Sequence, residues 1–294
     1  MSQPRIAAFA RSADGSLQPK RVIAGQGSRL GRTVHGLAYD PVHDEIVVPN
    51  PLAAAILVFR GDASGDAAPV RVIQGPRTRL QNPHSVNLDL VHGEILVGDL
   101  RADSALVFPR EAHGDVAPVR ALCGPRTRLD HVTGLAVDPA TDLLAIAAAK
   151  EVLIFKRTDD GDVPPRASIE GPHTGIGHEP WQLQIQGGRI FLAASNHLHQ
   201  WAYQGGDHPL PDFKEVPPDP WHDPTPGFVG VWNVTDEGDR PPLFTIGGPE
   251  SGLFHPTGVA FAVDKGELFV SDSVTNAVSI FRVPQLFAAP GKRP

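Results

Sequence analysis

The sequence holds a single cysteine, Cys123, which excludes an internal disulfide framework and any thiolate-rich zinc module. Any metal must therefore be held by histidine or carboxylate. Long apolar runs are also missing: the longest nearly uncharged one, Leu52 to Phe59, is 8 residues, against the roughly 18 to 20 that a spanning helix needs. No transmembrane helix is expected. The opening Met1-Ser2-Gln3-Pro4-Arg5-Ile6 lacks a basic stretch, an apolar core and a small-residue cleavage site, so no secretory signal is read and a cytoplasmic location is the expectation. There is no Gly-x-Ser-x-Gly elbow, no Walker A loop and no dinucleotide fingerprint. Neither sign of charge dominates: 26 Lys and Arg stand against 33 Asp and Glu, a net charge of -7 that gives a polyanion no reason to bind.

What is abundant is glycine and proline, 30 of each in 294 residues, together with 13 histidines. Without low-complexity runs, that mixture means many tight turns between short strands. The turns recur. GDAAPVRVIQGPRTRLQNPHSVNLDLVHGEILVGD (65–99), GDVAPVRALCGPRTRLDHVTGLAVDPATDLLAIAA (114–148), GDVPPRASIEGPHTGIGHEPWQLQIQGGRIFLAAS (161–195) and GDRPPLFTIGGPESGLFHPTGVAFAVDKGELFVSD (238–272) align with almost no gaps, and a looser copy covers 15–50. Anchored on Gly36, Ser85, Gly134, Gln182 and Gly258, the units are spaced by 49, 49, 48 and 76 residues, so about 28 extra residues precede the last. Each unit carries four short alternating or wholly apolar runs, exemplified by Leu37-Ala38-Tyr39, Glu45 to Val48, Ile56 to Phe59 and Val70 to Ile73. Four strands per 40 to 50 residues is the pattern of a propeller blade. The expected fold is all-β, one β-propeller domain over 1–294 with four-stranded antiparallel blades. Five innermost strands argue for five blades; seven copies of the third strand, including Arg5 to Arg11, His197 to Tyr203, Phe228 to Val234 and Ala277 to Val283, leave six as the alternative.

Pro256-Thr257-Gly258-Val259-Ala260 and Glu267-Leu268-Phe269-Val270-Ser271-Asp272-Ser273 resemble the NHL-repeat propeller family, and the likeness runs over nearly the whole chain. It implies the fold strongly and the function weakly, because such propellers host enzymes and binding proteins alike. It also implies that the Gly-Leu-Ala-x-Asp strand is innermost and the Val-Arg-Val-Ile strand outermost. Asn82-Pro83-His84-Ser85-Val86 further resembles the Pro-His-Ser-Leu segment of peptidyl-hydroxyglycine lyases, propellers whose histidines hold a catalytic zinc, which marks His84 as a ligand candidate.

Residues at the start of an innermost strand face the channel of a propeller. Three before the anchor stand Thr33, Asn82, His131, Glu179 and His255; one before it stand His35, His84, Thr133, Trp181 and Thr257. Positions two apart on a strand share a face, so both columns can look into one channel. Converging imidazoles need a reason, and a divalent transition metal (Zn, Fe, Mn, Ni or Cu) supplies one. The expected ligands are His35, His84, His131 and His255, with Glu179 as a further ligand, a neighbouring partner or a general base. Trp181 joins them as a substrate contact. The bland alternative, histidines bonded to backbone or channel water, stands beside this reading.

The remaining signals are weaker. His43 and His92 each lie eight residues beyond His35 and His84, in segments that read as hairpin turns. Gly75-Pro76-Arg77-Thr78-Arg79-Leu80 recurs as Gly124 to Leu129, making Arg79 and Arg128 candidates to grip an anionic substrate, while nucleic acid is not expected as a partner. Asp66, Asp115, Asp162 and Asp239, in the repeated Gly-Asp-x-x-Pro, read as turn formers. The 204–227 insertion is a candidate lid. The expectation is a metal-dependent lyase or hydrolase acting on a small molecule, or an oxygenase if the metal is iron; the alternative is a non-enzymatic scaffold that binds a protein or other partner.

Overall fold

The computed structural model describes residues 4–176, 179–195 and 227–287, the side chain of Glu179 excepted. The chain is an all-β propeller of five antiparallel blades. Blade 1 is β3 (Ala38–Asp40), β4 (Glu45–Asn50), β5 (Ala55–Arg60) and β6 (Arg71–Gln74), and blade 2 is β7 (Pro83–Asp89), β8 (Glu94–Asp99), β9 (Ser104–Pro109) and β10 (Arg120–Leu122). Blade 3 is β11 (Val132–Asp138), β12 (Leu143–Ala148), β13 (Glu151–Lys156) and β14 (Ala167–Ile169). Blade 4 is β15 (Glu179–Gln186), β16 (Arg189–Ser195), β17 (Phe228–Asn233) and β18 (Phe244–Gly247). Blade 5 has three strands, β19 (Pro256–Ala262), β20 (Glu267–Asp272) and β21 (Ala277–Arg282), and β1 (Arg5–Ala8) pairs with β2 (Arg21–Ala24) in a separate two-stranded sheet.

Of the extra third-strand copies, Phe228 to Val234 is the third strand of blade 4, so the insertion falls between β16 and β17 rather than between blades. The copy at His197 to Tyr203 and the 204–227 lid candidate, Gly227 apart, lie outside the described residues. The helical elements among the described residues are three-residue 3-10 turns, and none is long and apolar enough to cross a membrane.

The chain divides into two compact units, Met1–Leu135 with Thr158–Pro164 and Ala136–Arg157 with Pro165–Pro294. In the first, Val47, Ile56, Val58 and Ile73 of blade 1 pack with Val86, Val97, Leu106 and Phe108 of blade 2. The second has two clusters, one around Trp232, Ile190 and Leu192, the other around Phe191, Val231, Leu268 and Val270. Each fully buried Val, Ile, Leu or Phe contributes about 1.5–3 kcal/mol, which is why blade strands are apolar on both faces where they are covered on both.

The repeated Gly-Asp-x-x-Pro does more than turn the chain. Asp115 Oδ1 accepts the Arg77 backbone N–H at 2.7 Å, Asp162 Oδ1 that of Arg126 at 2.7 Å, Asp239 Oδ1 that of His173 at 2.7 Å, and Asp66 Oδ1 that of Gly27 at 2.6 Å. Each acceptor lies 36 to 66 residues from its donor. Besides standing in turns, each aspartate reaches the turn that follows the preceding outer strand, a 3-10 turn at Arg77, Arg126 and His173 and a simple turn at Gly27, and satisfies an N–H that so short a turn leaves over. The backbone joins in, with Gly114 N–H donating to Val72 O at 2.7 Å and Gln74 N–H to Gly114 O at 3.1 Å. Inside each turn a buried hydroxyl repeats the pattern: Thr78 and Thr127 donate to the carbonyls of Gly75 and Gly124 at 2.6 Å.

Candidate histidine site

In the first unit, His84 is 2% exposed on β7 and its imidazole lies against that of His35, with ring centroids 4.2 Å apart and planes 21° from parallel. His84 Nδ1–H donates to the Thr133 carbonyl at 3.0 Å, because a carbonyl can only accept. That bond fixes the tautomer and leaves the lone pair on Nε2. Burial first, then the neighbouring His35, lowers the His84 pKa to about 3, and burial also lowers that of His35. Both rings are therefore neutral at pH 7, the form in which imidazole binds metal.

His131 influences His84 electrostatically but lies exposed. Its backbone is left-handed (φ 55) and its N–H donates to Asp103 Oδ1 at 2.9 Å. The cause is traceable to another column. In blade 2, Asp99 at the end of β8 accepts the N–H groups of Gln81 and Asn82, and in blade 5, Asp272 at the end of β20 accepts those of Phe254 and His255. Blade 3 has Ala148 at that place, so no carboxylate draws the approach to β11 inward. Thr33 in blade 1, where Asn50 replaces the aspartate, is left-handed too (φ 64).

In the second unit, His255 is 1% exposed, with its Nδ1 and Ser273 Oγ 2.7 Å apart. Trp181 is 7% exposed and meets it edge-on, centroids 5.4 Å apart at 78°. Trp181 packs in the cluster with Val259 and Leu268, a core position rather than an open wall. The Glu179 backbone pairs with Ser195, and its side chain is outside the described residues. Among the described residues, no three His, Cys, Asp or Glu side chains converge as a metal-holding group.

Arg79 and Arg128 occupy the left-handed position that ends each 3-10 turn (φ 62 and 60), and Gly175 and Gly252 stand there in later blades. The swap to glycine follows from that φ, which glycine adopts without steric cost. The Arg79 guanidinium donates to Cys123 Sγ at 3.1 Å, beside outer strand β10. His43 and His92 do lie in hairpin turns, each with Nδ1 on a buried carboxylate, Asp40 at 2.7 Å and Asp89 at 2.8 Å.

Thr133 and Ser273, whose oxygens fix the orientation of His84 and His255, escaped the sequence reading. Thr133 stands at the position equivalent to His35 and His84, but it acts through its main chain, which a sequence does not distinguish. Ser273 was visible only as the residue after the Asp272 that ends a second strand. Compared with known proteins, the chain matches no protein-family model and no curated protein; the NHL likeness rests on the motifs quoted above.

Proposed function

We propose that the histidines of the first unit hold a divalent transition metal and that the chain is a metal-dependent enzyme acting on a small molecule by lyase or hydrolase chemistry. The observation that carries this reading is the His84 Nδ1–H bond to the Thr133 carbonyl beside a second neutral imidazole. Metal-binding histidines donate their other ring N–H to just such an acceptor, which orients the ring and raises its basicity.

His84 would be the fixed ligand and His35 the adjustable one. Rings within 21° of parallel send their lone pairs side by side rather than to one point. A shared ion therefore requires one ring to turn, and His84, buried and anchored at Nδ1, is the ring that would stay in place. His131, which acts on His84 electrostatically, would have to swing toward the pair to serve as a third imidazole, since the three do not converge here. A bound ion would polarise a substrate oxygen or lower the pKa of bound water. The chain's own contribution is to keep two imidazoles unprotonated through burial and to hold one of them rigid.

The test is elemental analysis of tag-free protein purified without added metal, followed by reconstitution with Zn, Fe, Mn, Ni and Cu in turn. Near one equivalent per chain, lost in His84→Ala with the circular dichroism unchanged, is the expected result. Substoichiometric metal after every reconstitution overturns it and leaves the histidines as packing groups of a recognition scaffold.

A further inference from the structure

Blade 1 differs from the others at the approach to its innermost strand. β3 is three residues long, against seven for β7, β11 and β19. In blade 2 the ladder runs on to Ser85 opposite Gly98 and Pro83 opposite Asp99, with His84 at the irregularity between them. Blade 5 repeats this with Gly258 opposite Ser271, Pro256 opposite Asp272 and Thr257 between. In blade 1 the pairing stops at Ala38 opposite Val47, so Gly31 to Leu37, which carry His35, belong to no strand.

Three residues of the first unit account for the break. Pro49 stands where blades 2, 3 and 5 have Gly98, Ala147 and Ser271. Gly61 N–H donates to Asp44 O at 2.6 Å, and main-chain groups alternate in direction along an antiparallel strand. Those of Ile46 and Val48 therefore point to β5, and those of Val47 and Pro49 to β3. Proline thus lacks a donor on the side where β3 would use it. Asn50 stands where Asp99 and Asp272 each gather two backbone N–H groups. Its Nδ2 donates to Arg29 O at 2.8 Å, while its buried Oδ1 meets no donor. Gly31 is an added residue, since Leu30 to Gly36 spans six steps where Leu80 to Ser85 and Leu253 to Gly258 span five. It lies against Asn50, with a β-carbon there falling 2.4 Å from Oδ1. Among the described residues the N–H groups of Gly31, Arg32 and Thr33 meet no acceptor, and Thr33 is left-handed (φ 64). A buried acceptor without a donor, beside amides without acceptors, marks bonds that this segment can make and here does not.

We propose that Gly31 to Leu37 is a mobile arm that closes when the metal binds, turning His35 onto the ion that His84 holds, and that Asn50 Oδ1 then takes an N–H of the arm as its latch. The inference rests on the metal reading above and adds which ligand moves and what holds it afterwards. His84 is fixed by the Thr133 carbonyl, so the ring that turns is the one on the unpaired segment. The stacked rings are then the open, metal-free arrangement. Asn50 is a positioning residue: it acts on the ion only through His35.

The test is amide hydrogen exchange of the full chain, metal-free and with Zn, Fe, Mn, Ni and Cu in turn, comparing the arm with the equivalent stretch of β7. Without metal the arm should exchange roughly a hundredfold faster than β7, and the ion that binds should slow it at least about tenfold. His35→Ala should abolish that slowing and leave β7 unchanged. Pro49→Ala combined with Asn50→Asp, which supplies the missing donor and carboxylate, should slow the metal-free arm by about tenfold. An arm as protected as β7 without metal overturns the proposal. So does an ion that binds by elemental analysis while arm exchange stays the same, and so does a double variant whose arm exchanges as fast as before. Those outcomes sink the arm alone, whereas failure of all five ions to bind sinks the arm and the metal reading together. The comparison with and without metal uses the unaltered chain, so it does not depend on a variant folding.

Discussion

The Asp115 carboxylate occupies the space that a side chain at Gly75 would need. A β-carbon there would stand 2.5 Å from the carboxyl carbon, and the backbone at Gly75 has φ 136, a conformation that glycine alone adopts freely. Gly124 with Asp162 and Gly171 with Asp239 repeat the arrangement. Glycine and aspartate of each repeat are thus one device, although 40, 38 and 68 residues of sequence separate the three pairs.

Gly75→Ala should destabilise the chain by about 1–3 kcal/mol, since it adds a strained backbone to a steric conflict. Asp115→Ala removes one exposed acceptor and should cost about 1 kcal/mol or less. Because the two residues touch, the double variant should cost less than the sum. Urea denaturation midpoints check all three; strict additivity would mean that the pair does not act as a unit.

The His84 imidazole makes stability depend on pH in a definite direction. Its folded pKa lies below the value of about 6.5 that it has unfolded, because burial and His35 oppose its charge. Its contribution is fully present above pH 6.5 and is lost as pH falls from 6.5 toward 3, where the unfolded state takes up a proton that the native state refuses. The slope from this group is at most about 1.4 kcal/mol per pH unit. His84→Asn, which keeps a donor for the Thr133 carbonyl, should flatten the fall in stability between pH 6.5 and 4.5, measured by denaturant titration at each pH. An unchanged slope would show that His84 is protonated in the folded protein.

Glu45 is held by Arg71 in a two-pronged contact and by Arg110 at 2.8 Å, all three side chains being 13–16% exposed. The Arg71 hydrogen bond lowers the Glu45 pKa against the opposing effect of burial, so this stabilisation is present above pH 4.5 and is lost as pH falls below it. Arg71→Ala should cost about 1.5–3 kcal/mol at pH 7, since it removes a charge-assisted bond and leaves Glu45 with Arg110 alone. The loss should shrink in acid, which thermal unfolding at pH 7 and pH 3.5 would reveal.

In the second unit, Ser273→Ala removes the hydroxyl partner of His255 Nδ1 and should cost about 1 kcal/mol. His255→Phe should cost less than His255→Ala, because a ring keeps the edge contact with Trp181. Tryptophan emission and thermal unfolding together distinguish the cases; equal losses for Phe and Ala would show that the ring contact contributes little.

The spacing of Gly36, Ser85 and Gly134 and the alternation around Ile56 to Phe59 were sufficient to give an all-β propeller and to favour five blades over six, because a repeat that cannot bury its own faces has to stack on its neighbours. The histidine columns were legible for the same reason, as equivalent positions in equivalent strands. What the columns could not show was that His131 and His255, three residues before their anchors alike, end respectively exposed with a left-handed backbone and buried against Trp181. That difference was decided by a third column, Ala148 against Asp272, whose carboxylate either draws two backbone N–H groups inward or is missing. Likewise Asp115 looked local until folding carried it to Arg77, and Thr133 looked inert until its carbonyl oriented His84. Sequence periodicity by itself determined which residues are equivalent; only the tertiary structure decided where the polar ones point, because a buried N–H or carbonyl takes whichever partner the neighbouring strands bring within hydrogen-bond reach.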